Sequence, residues 1–142
     1  MTLKLEQARR IIAAAFDRAT DMKLKPLTIA VLDAGGAVVA LERSDGASRM
    51  RPDIATGKAN GAIALGMGSR AIFRRAQEQP YFIQSMNALA RGVLVPVPGG
   101  VLIRDDSGEI LGAVGITGDT SDNDEACAIA AIEAAGLKAD PG

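Results

Sequence analysis

The sequence contains no histidine. Histidine is the usual general base near neutral pH and a common ligand of zinc and haem iron. A histidine-based catalytic triad, a zincin-type metal site and a histidine-ligated haem are therefore excluded. The single cysteine, Cys127, cannot form an internal disulfide, which agrees with a reducing compartment.

Aromatic residues are also scarce, at 3% of the chain, with three phenylalanines, one tyrosine and no tryptophan. The core must then be built from aliphatic side chains and from close approach of backbone segments, for which the sixteen glycines provide room. A domain of this kind often completes its core by self-association. We therefore expect a homo-oligomer.

Strong charge and long apolar runs are missing as well. A net charge of −1 and the lack of any Lys/Arg block argue against nucleic-acid binding. No apolar run approaches the roughly 20 residues that a membrane span needs, and the N-terminus is amphipathic, unlike a signal peptide. We expect a cytoplasmic protein whose 142 residues form one domain, 1–142, with roughly two-thirds of its unfolded surface buried.

The spacing of apolar residues and turn signals predicts an α+β fold with a mainly antiparallel sheet of five strands flanked by helices. Residues 80–89 have a weaker pattern and are interpreted as a rim or lid. The predicted strands are 27–32, 37–43, 93–97, 101–103 and 110–116, and the predicted helices are 3–22, 51–65, 70–79 and 121–135.

Arg43 and Asp45 stand two residues apart where the second strand ends. On an extended chain both side chains can point the same way, so the pair is a candidate to line a cleft. The alternative is an ordinary surface ion pair beside a turn glycine.

Lys58 falls among apolar residues on one side of the helix predicted for 51–65. Its ammonium either reaches solvent or meets a substrate carboxylate near a pocket. Gly57 and Gly61, four residues apart in the same helix, suggest that something packs very near its backbone, in a close helix–helix or helix–sheet contact.

The segment 110–125 reads as a buried strand, a glycine turn and a helix start. Thr120, Ser121 and Asp122 are candidate N-caps, and the Thr117 hydroxyl lies close to the same turn. Such a point can hold an anion, although acidic residues crowd it. The acidic residues Asp119, Asp122, Asp124 and Glu125 lack the spacing of a calcium loop and are interpreted as part of a helix cap.

Taken in order, several short motifs of this chain resemble the GlcG/HbpS-type haem-binding family, which includes the C-terminal domain of PduO-type proteins. The similarity covers about residues 3–135. The motifs are Val31-Leu-Asp33-x-x-Gly36, Leu41-x-Arg43-x-Asp45-Gly46-Ala47, Ile54-Ala55-x-x-Lys58-Ala59, Pro98-Gly99-Gly100-Val101, and Gly112-Ala-Val-Gly115-x-x-Gly118 followed by Asp122-x-Asp124-Glu125-x-Cys127-Ala128.

The resemblance implies a profilin-like five-stranded sheet with helices on its faces, and assembly into dimers or larger oligomers. It also implies haem or corrinoid binding for some members, and for others a place beside catabolic genes, so that a role as a catabolic accessory protein is expected. The pocket implied by the family lies at the end of the sheet. Its residues are Arg43, Asp45, Lys58, Gly99 and Gly100, with Thr117 as a further candidate.

Haem would have to bind here without histidine. The remaining iron ligands are Cys127, Tyr81 and five methionines, and Cys127 is expected to be a buried, inert thiol. The haem propionates could still bind Arg43 or Lys58. This favours a protein that binds a flat or anionic small molecule, for which the glycine pair Gly99 and Gly100 offers bare backbone unless it simply forms a β-turn.

An enzyme acting on a small carboxylate metabolite, as an isomerase, tautomerase or hydrolase, is the alternative. In that hypothesis Arg43 holds the carboxylate, Lys58 acts as acid or base, and Asp45 is its proton partner. A ligand-free accessory subunit is the third hypothesis.

Overall fold

The computed structural model describes residues 2–142 and has the predicted α+β architecture. A five-stranded sheet has the strand order β2-β1-β4-β3-β5, with every pairing antiparallel. The elements are α1 Leu5–Asp21, β1 Thr28–Asp33, β2 Val38–Arg43, α2 Arg51–Leu65, α3 Ser69–Glu78, α4 Pro80–Leu89, β3 Gly100–Arg104, β4 Ile110–Thr117, α5 Ser121–Ala134 and β5 Lys138–Asp140.

The sheet separates two hydrophobic layers. Helices α1 and α5 cover one face, where Ile11 and Ile132 join the core with Ile29 and Ile116 of the central strands. Helix α2 covers the other face, and its alanines pack on a smaller apolar layer of the sheet. Strand side chains alternate between these layers because successive residues point to opposite faces.

The predicted strand at 93–97 is wrong. This segment has no regular secondary structure and does not pair with the sheet. Instead it lies along α2, where the Val95 N–H donates to the Gly57 carbonyl at 3.1 Å and the Asn60 side chain donates to the Val93 carbonyl at 2.8 Å. A β-carbon at Gly57 would stand 2.6 Å from Val95 Cγ2, which confirms the predicted close approach to this helix, but the contacting segment at Gly57 is neither a helix nor part of the sheet.

The fifth strand is β5, which was not predicted and follows the C-terminal helix. It pairs with β3 over three residues, and the Arg104 guanidinium donates to the Asp140 carboxylate at 2.9 Å. So short a strand carries little apolar pattern, and its pairing depends on the edge that β3 offers. The interpretation of 80–89 as a rim is refined: the segment is helix α4, attached through the buried Ile83.

Helix α2 approaches the sheet almost backbone to backbone. A β-carbon at Gly115 of β4 would overlap the Ala55 carbonyl oxygen, and one at Gly100 of β3 would overlap the Lys58 carbonyl. The small residues of both elements therefore set the height of α2 above the sheet.

Within residues 2–142, none of the helices has the combined length and apolar character needed to cross a bilayer.

We expect Gly115→Ala to destabilise the protein by about 1–3 kcal/mol, because the added methyl group must push α2 away from β4. Gly35→Ala is the matched control: its β-carbon would meet only the Asp33 side chain at 3.4 Å, so a change within about 0.5 kcal/mol is expected. Urea unfolding of both variants measures the difference. Equal stabilities would show that α2 is free to shift.

Candidate functional site

Lys58 is the largest charged side chain in the interior, with only 2% of its surface exposed. Its ammonium donates to the Ile116 carbonyl at 2.8 Å and to the Asp124 carboxylate at 3.2 Å. Asp124, which is 1% exposed, also accepts from the Asp119 N–H. The ion pair thus joins α2 on one face of the sheet to α5 on the other.

Burial lowers the pKa of Lys58 and raises the pKa of Asp124, because both charged forms lose water. The attraction between the two charges opposes both shifts. The charge of Arg51 further lowers the pKa of Lys58, which places a second cation near this ion pair. Lys58 therefore has an internal partner and does not present its ammonium to solvent.

Gly99 and Gly100 lie against the buried Lys58. A β-carbon at Gly99 would stand 2.8 Å from the Lys58 ammonium nitrogen, and the Gly100 N–H donates to the buried Ser69 hydroxyl at 2.7 Å. The bare backbone of this glycine pair thus makes room for Lys58. A ligand-binding role for these glycines stays a prediction.

The acidic residues at the start of α5 each have a partner. Thr120 is the N-cap, as expected among the candidates, and accepts the Asn123 N–H at 3.2 Å. Asp122 and Glu125 form ion pairs with Arg70 of α3. Asp122 and Asp124 lie in the first turn of α5, as the interpretation of a helix cap expects, and both also form ion pairs.

Asp119 accepts the backbone N–H groups of Lys25 and Thr120 and the side-chain amide of Asn123. These hydrogen bonds, that of Lys25 first, lower the pKa of Asp119 to about 2. Among residues 2–142, no group of acidic or cysteine side chains is arranged to hold a metal ion.

A polar row lies across the end of the sheet on the α2 face. Arg43, Thr28 and Thr117 are direct cross-strand partners on β2, β1 and β4, so their side chains share that face. Thr117 is 1% exposed and accepts a hydrogen bond from the Arg51 guanidinium at 2.7 Å. We call Arg43, Thr28, Thr117 and Arg51 the polar row.

Arg43 lies at the exposed end of the polar row. Its guanidinium donates to the Ala47 carbonyl at 2.8 Å and so ties down the loop that follows β2. No ion pair between Arg43 and Asp45 is present in the part of the chain that the structure describes. Asp45 is exposed, and no hydrogen bond joins it to Lys58 in residues 2–142, so the three residues of the enzyme hypothesis are not assembled.

Arg51 is the site residue that the sequence interpretation missed. It is the first residue of α2, where the helix dipole is positive and an arginine is unfavourable unless an anion is nearby. Within residues 2–142 no carboxylate oxygen lies within 4.0 Å of its guanidinium. The signal available in the sequence was an arginine at the N-terminus of a predicted helix, where the helix dipole disfavours a positive charge.

The donor set fits a carboxylate-bearing ligand better than it fits an iron atom. Cys127 is fully buried, its thiol donates to the Ala15 carbonyl at 3.1 Å, and burial raises its pKa to about 11. The expectation of a buried thiol agrees with this environment. Tyr81 and Met50 are well exposed, at 66% and 55%, so both side chains lie on the surface.

We expect Lys58→Met or Asp124→Asn alone to lower the free energy of unfolding by about 3–5 kcal/mol, because each disrupts a buried ion pair. The double variant Lys58→Met/Asp124→Asn should lose less than the sum of the single changes. Asp122→Asn, which removes an exposed carboxylate from the same helix, is the control and should cost less than about 1 kcal/mol.

Urea unfolding at several pH values measures these differences. In Lys58→Met, Asp124 is buried without a cation, so its pKa in the folded protein stays above its pKa in the unfolded chain. The variant should therefore lose stability as the pH rises from the unfolded to the folded pKa of Asp124. Strictly additive losses would contradict a coupled pair.

Known proteins are similar to this chain in sequence and in fold. The chain is 28% identical over 134 residues to an uncharacterised 15.0 kDa protein of Citrobacter freundii from the dhaT-dhaS intergenic region, covering 93% of this chain and 91% of that protein. The crystal structure of protein ORFY from Klebsiella pneumoniae is 28% identical, has a TM-score of 0.85, and is matched over 96% of this chain and 92% of that one.

A crystal structure of a PduOC:haem complex has the same TM-score of 0.85 at 24% identity, covering 96% of this chain and 97% of that chain. At this identity the likeness shows the fold. The family model described as haem degrading protein HbpS-like matches residues 3–133, which is nearly the whole chain. This protein therefore belongs to the HbpS-like family.

Proposed function

We propose that the protein binds a small organic anion, with haem or another tetrapyrrole as the ligand that membership of the HbpS-like family favours. The observation that carries the proposal is the polar row. It places the side chains of Arg43 and Thr117, two of the residues implied by the family, on the same face at one end of the sheet. A guanidinium and a hydroxyl are suitable donors for a carboxylate.

Haem would be held through its propionates. Arg43 has no carboxylate partner within residues 2–142, so its remaining N–H groups are available to an anion. The iron, by contrast, meets neither histidine nor an accessible thiolate in this chain. We therefore propose loose binding in which the carboxylates, rather than a strong axial ligand, supply most of the affinity.

The enzyme hypothesis receives no specific support from the geometry. It requires Lys58 to leave its buried ion pair with Asp124 and to work with Asp45, which is exposed on a loop. Moving an ammonium out of a matched buried pair leaves the carboxylate uncompensated and is costly. Binding through the polar row needs no such rearrangement of the core.

Titration with haemin tests the binding proposal. We expect a saturable, red-shifted Soret band with a defined stoichiometry, and about tenfold weaker binding in Arg43→Ala, because the variant loses a charge-assisted hydrogen bond. Arg9→Ala removes an exposed arginine of α1 and is the matched control, with unchanged affinity expected. A featureless, non-saturable spectrum would remove haem as the ligand, and equal affinities of the two variants would remove Arg43 from the site.

We also propose that the protein is a cytoplasmic homo-oligomer with an accessory role in catabolism. Exposed apolar side chains on and after α4 support self-association, since Leu89 is 77% exposed and Tyr81 is 66% exposed. Light scattering coupled to size-exclusion chromatography should give a mass that is a multiple of 14.6 kDa, reduced by Leu89→Lys. A monomer at all concentrations would contradict the proposal.

A further inference from the structure

Thr28 has a buried hydroxyl without a partner. The residue is fully buried, and its Oγ1 accepts and donates no hydrogen bond within residues 2–142. Burying an unpaired hydroxyl destabilises a protein, so such a group calls for an explanation. The same strand face carries Ala30 and Leu32, which pack on α2, and this sets the Thr28 side chain toward the α2 side of the sheet.

Arg51 stands at the same end of that face and has spare hydrogen-bonding capacity. Only one N–H group of its guanidinium has a partner among residues 2–142, namely the Thr117 hydroxyl. The positive end of the α2 dipole adds to the charge of the Arg51 guanidinium. Asp124 compensates Lys58, and the nearest acidic residue in sequence, Asp53, is exposed and forms no ion pair with Arg51.

We infer that Arg51, Thr28 and Thr117 form the pocket for one carboxylate group of the ligand. This inference rests on the proposed function, since it names the group within the polar row that recognises the anion. The Thr117 oxygen already accepts from Arg51, so its own proton remains free to donate. A carboxylate placed among the three residues accepts from the guanidinium and from both hydroxyls, which gives the Thr28 hydroxyl the partner it lacks.

Entry to this pocket involves the Arg51 side chain. Thr28 and Thr117 are both buried, whereas Arg51 is half-buried and lies against Thr117. Binding therefore adds an ion pair between the carboxylate and the remaining N–H groups of the Arg51 guanidinium, beside the hydrogen bond that Arg51 donates to Thr117. Arg43, which is tied to the Ala47 carbonyl, stays at the rim on the other side of Thr28.

The experiment uses benzoate as the simplest carboxylate probe and haemin as the second ligand. Nuclear magnetic resonance follows the threonine methyl groups and the arginine Nε–H groups of the full chain during a benzoate titration. We expect saturable shifts at Arg51, Thr28 and Thr117. Benzamide, which has the same ring without the charge, should leave these signals in place.

Three variants test the assignment. Arg51→Met should weaken benzoate binding at least about tenfold, and Arg49→Met, which removes a neighbouring exposed arginine, should not. Thr28→Val should weaken binding about tenfold while leaving the unfolding midpoint of the free protein unchanged or raised, because it removes an unsatisfied buried hydroxyl. If Arg51→Met does not fold, Arg51→Lys replaces it, with weakened binding still expected.

The outcomes separate the inference from the proposed function. Haemin binding without benzoate shifts at these residues, or equal losses in Arg51→Met and Arg49→Met, would overturn the carboxylate pocket and leave the proposed function standing. Saturable benzoate binding at the three residues without haemin binding would support the pocket and exclude haem. A protein that binds neither probe would contradict both.

Discussion

The buried ion pair between Lys58 and Asp124 is the constraint on which the rest of the structure depends. An ammonium can leave water only where a carboxylate and a carbonyl replace its hydration, and the Ile116 carbonyl and Asp124 do so at the end of the sheet. The helices that carry the two charges lie on opposite faces. Joining them requires both helices to lie close to the end of the central strand β4.

Glycines make that approach possible. Gly99 leaves room for the Lys58 ammonium, and Gly115 admits the Ala55 carbonyl that a β-carbon would displace. On the outer side of α2, Gly57 and the segment around Val95 meet in a similar way. The near absence of aromatic residues is thus compensated by close backbone packing, which buries small side chains efficiently.

The candidate ligand site is a consequence of the same placement. Because α2 packs close to β4, its first residue, Arg51, reaches the Thr117 hydroxyl. This contact brings Arg51 into the polar row with Thr117, Thr28 and Arg43. The sequence interpretation assigned ligand binding to both Lys58 and Arg43, whereas the structure gives the two cations different surroundings. Lys58 holds the layers together, and the arginines at the sheet end remain available to an anion.

Much of the fold was predictable from periodicity, as α1 and the strand alternation around Ile29 and Ile116 show, because local pattern reports which face is buried. The error at 93–97 has a physical cause. A short apolar segment can be buried against a helix as well as within a sheet, and its sequence pattern is the same in both cases. The three-residue β5 is too short to carry a pattern at all.

The sequence by itself determined the absence of histidine chemistry, the α+β class, and the family resemblance that implied a site at one end of the sheet. Only the tertiary structure decided which charges are used internally. Lys58 and Arg51 are both cations of one helix, but their partners, Asp124 and Thr117, lie 66 positions away in each case. Contacts at such separation depend on how the layers pack, and no local pattern encodes them.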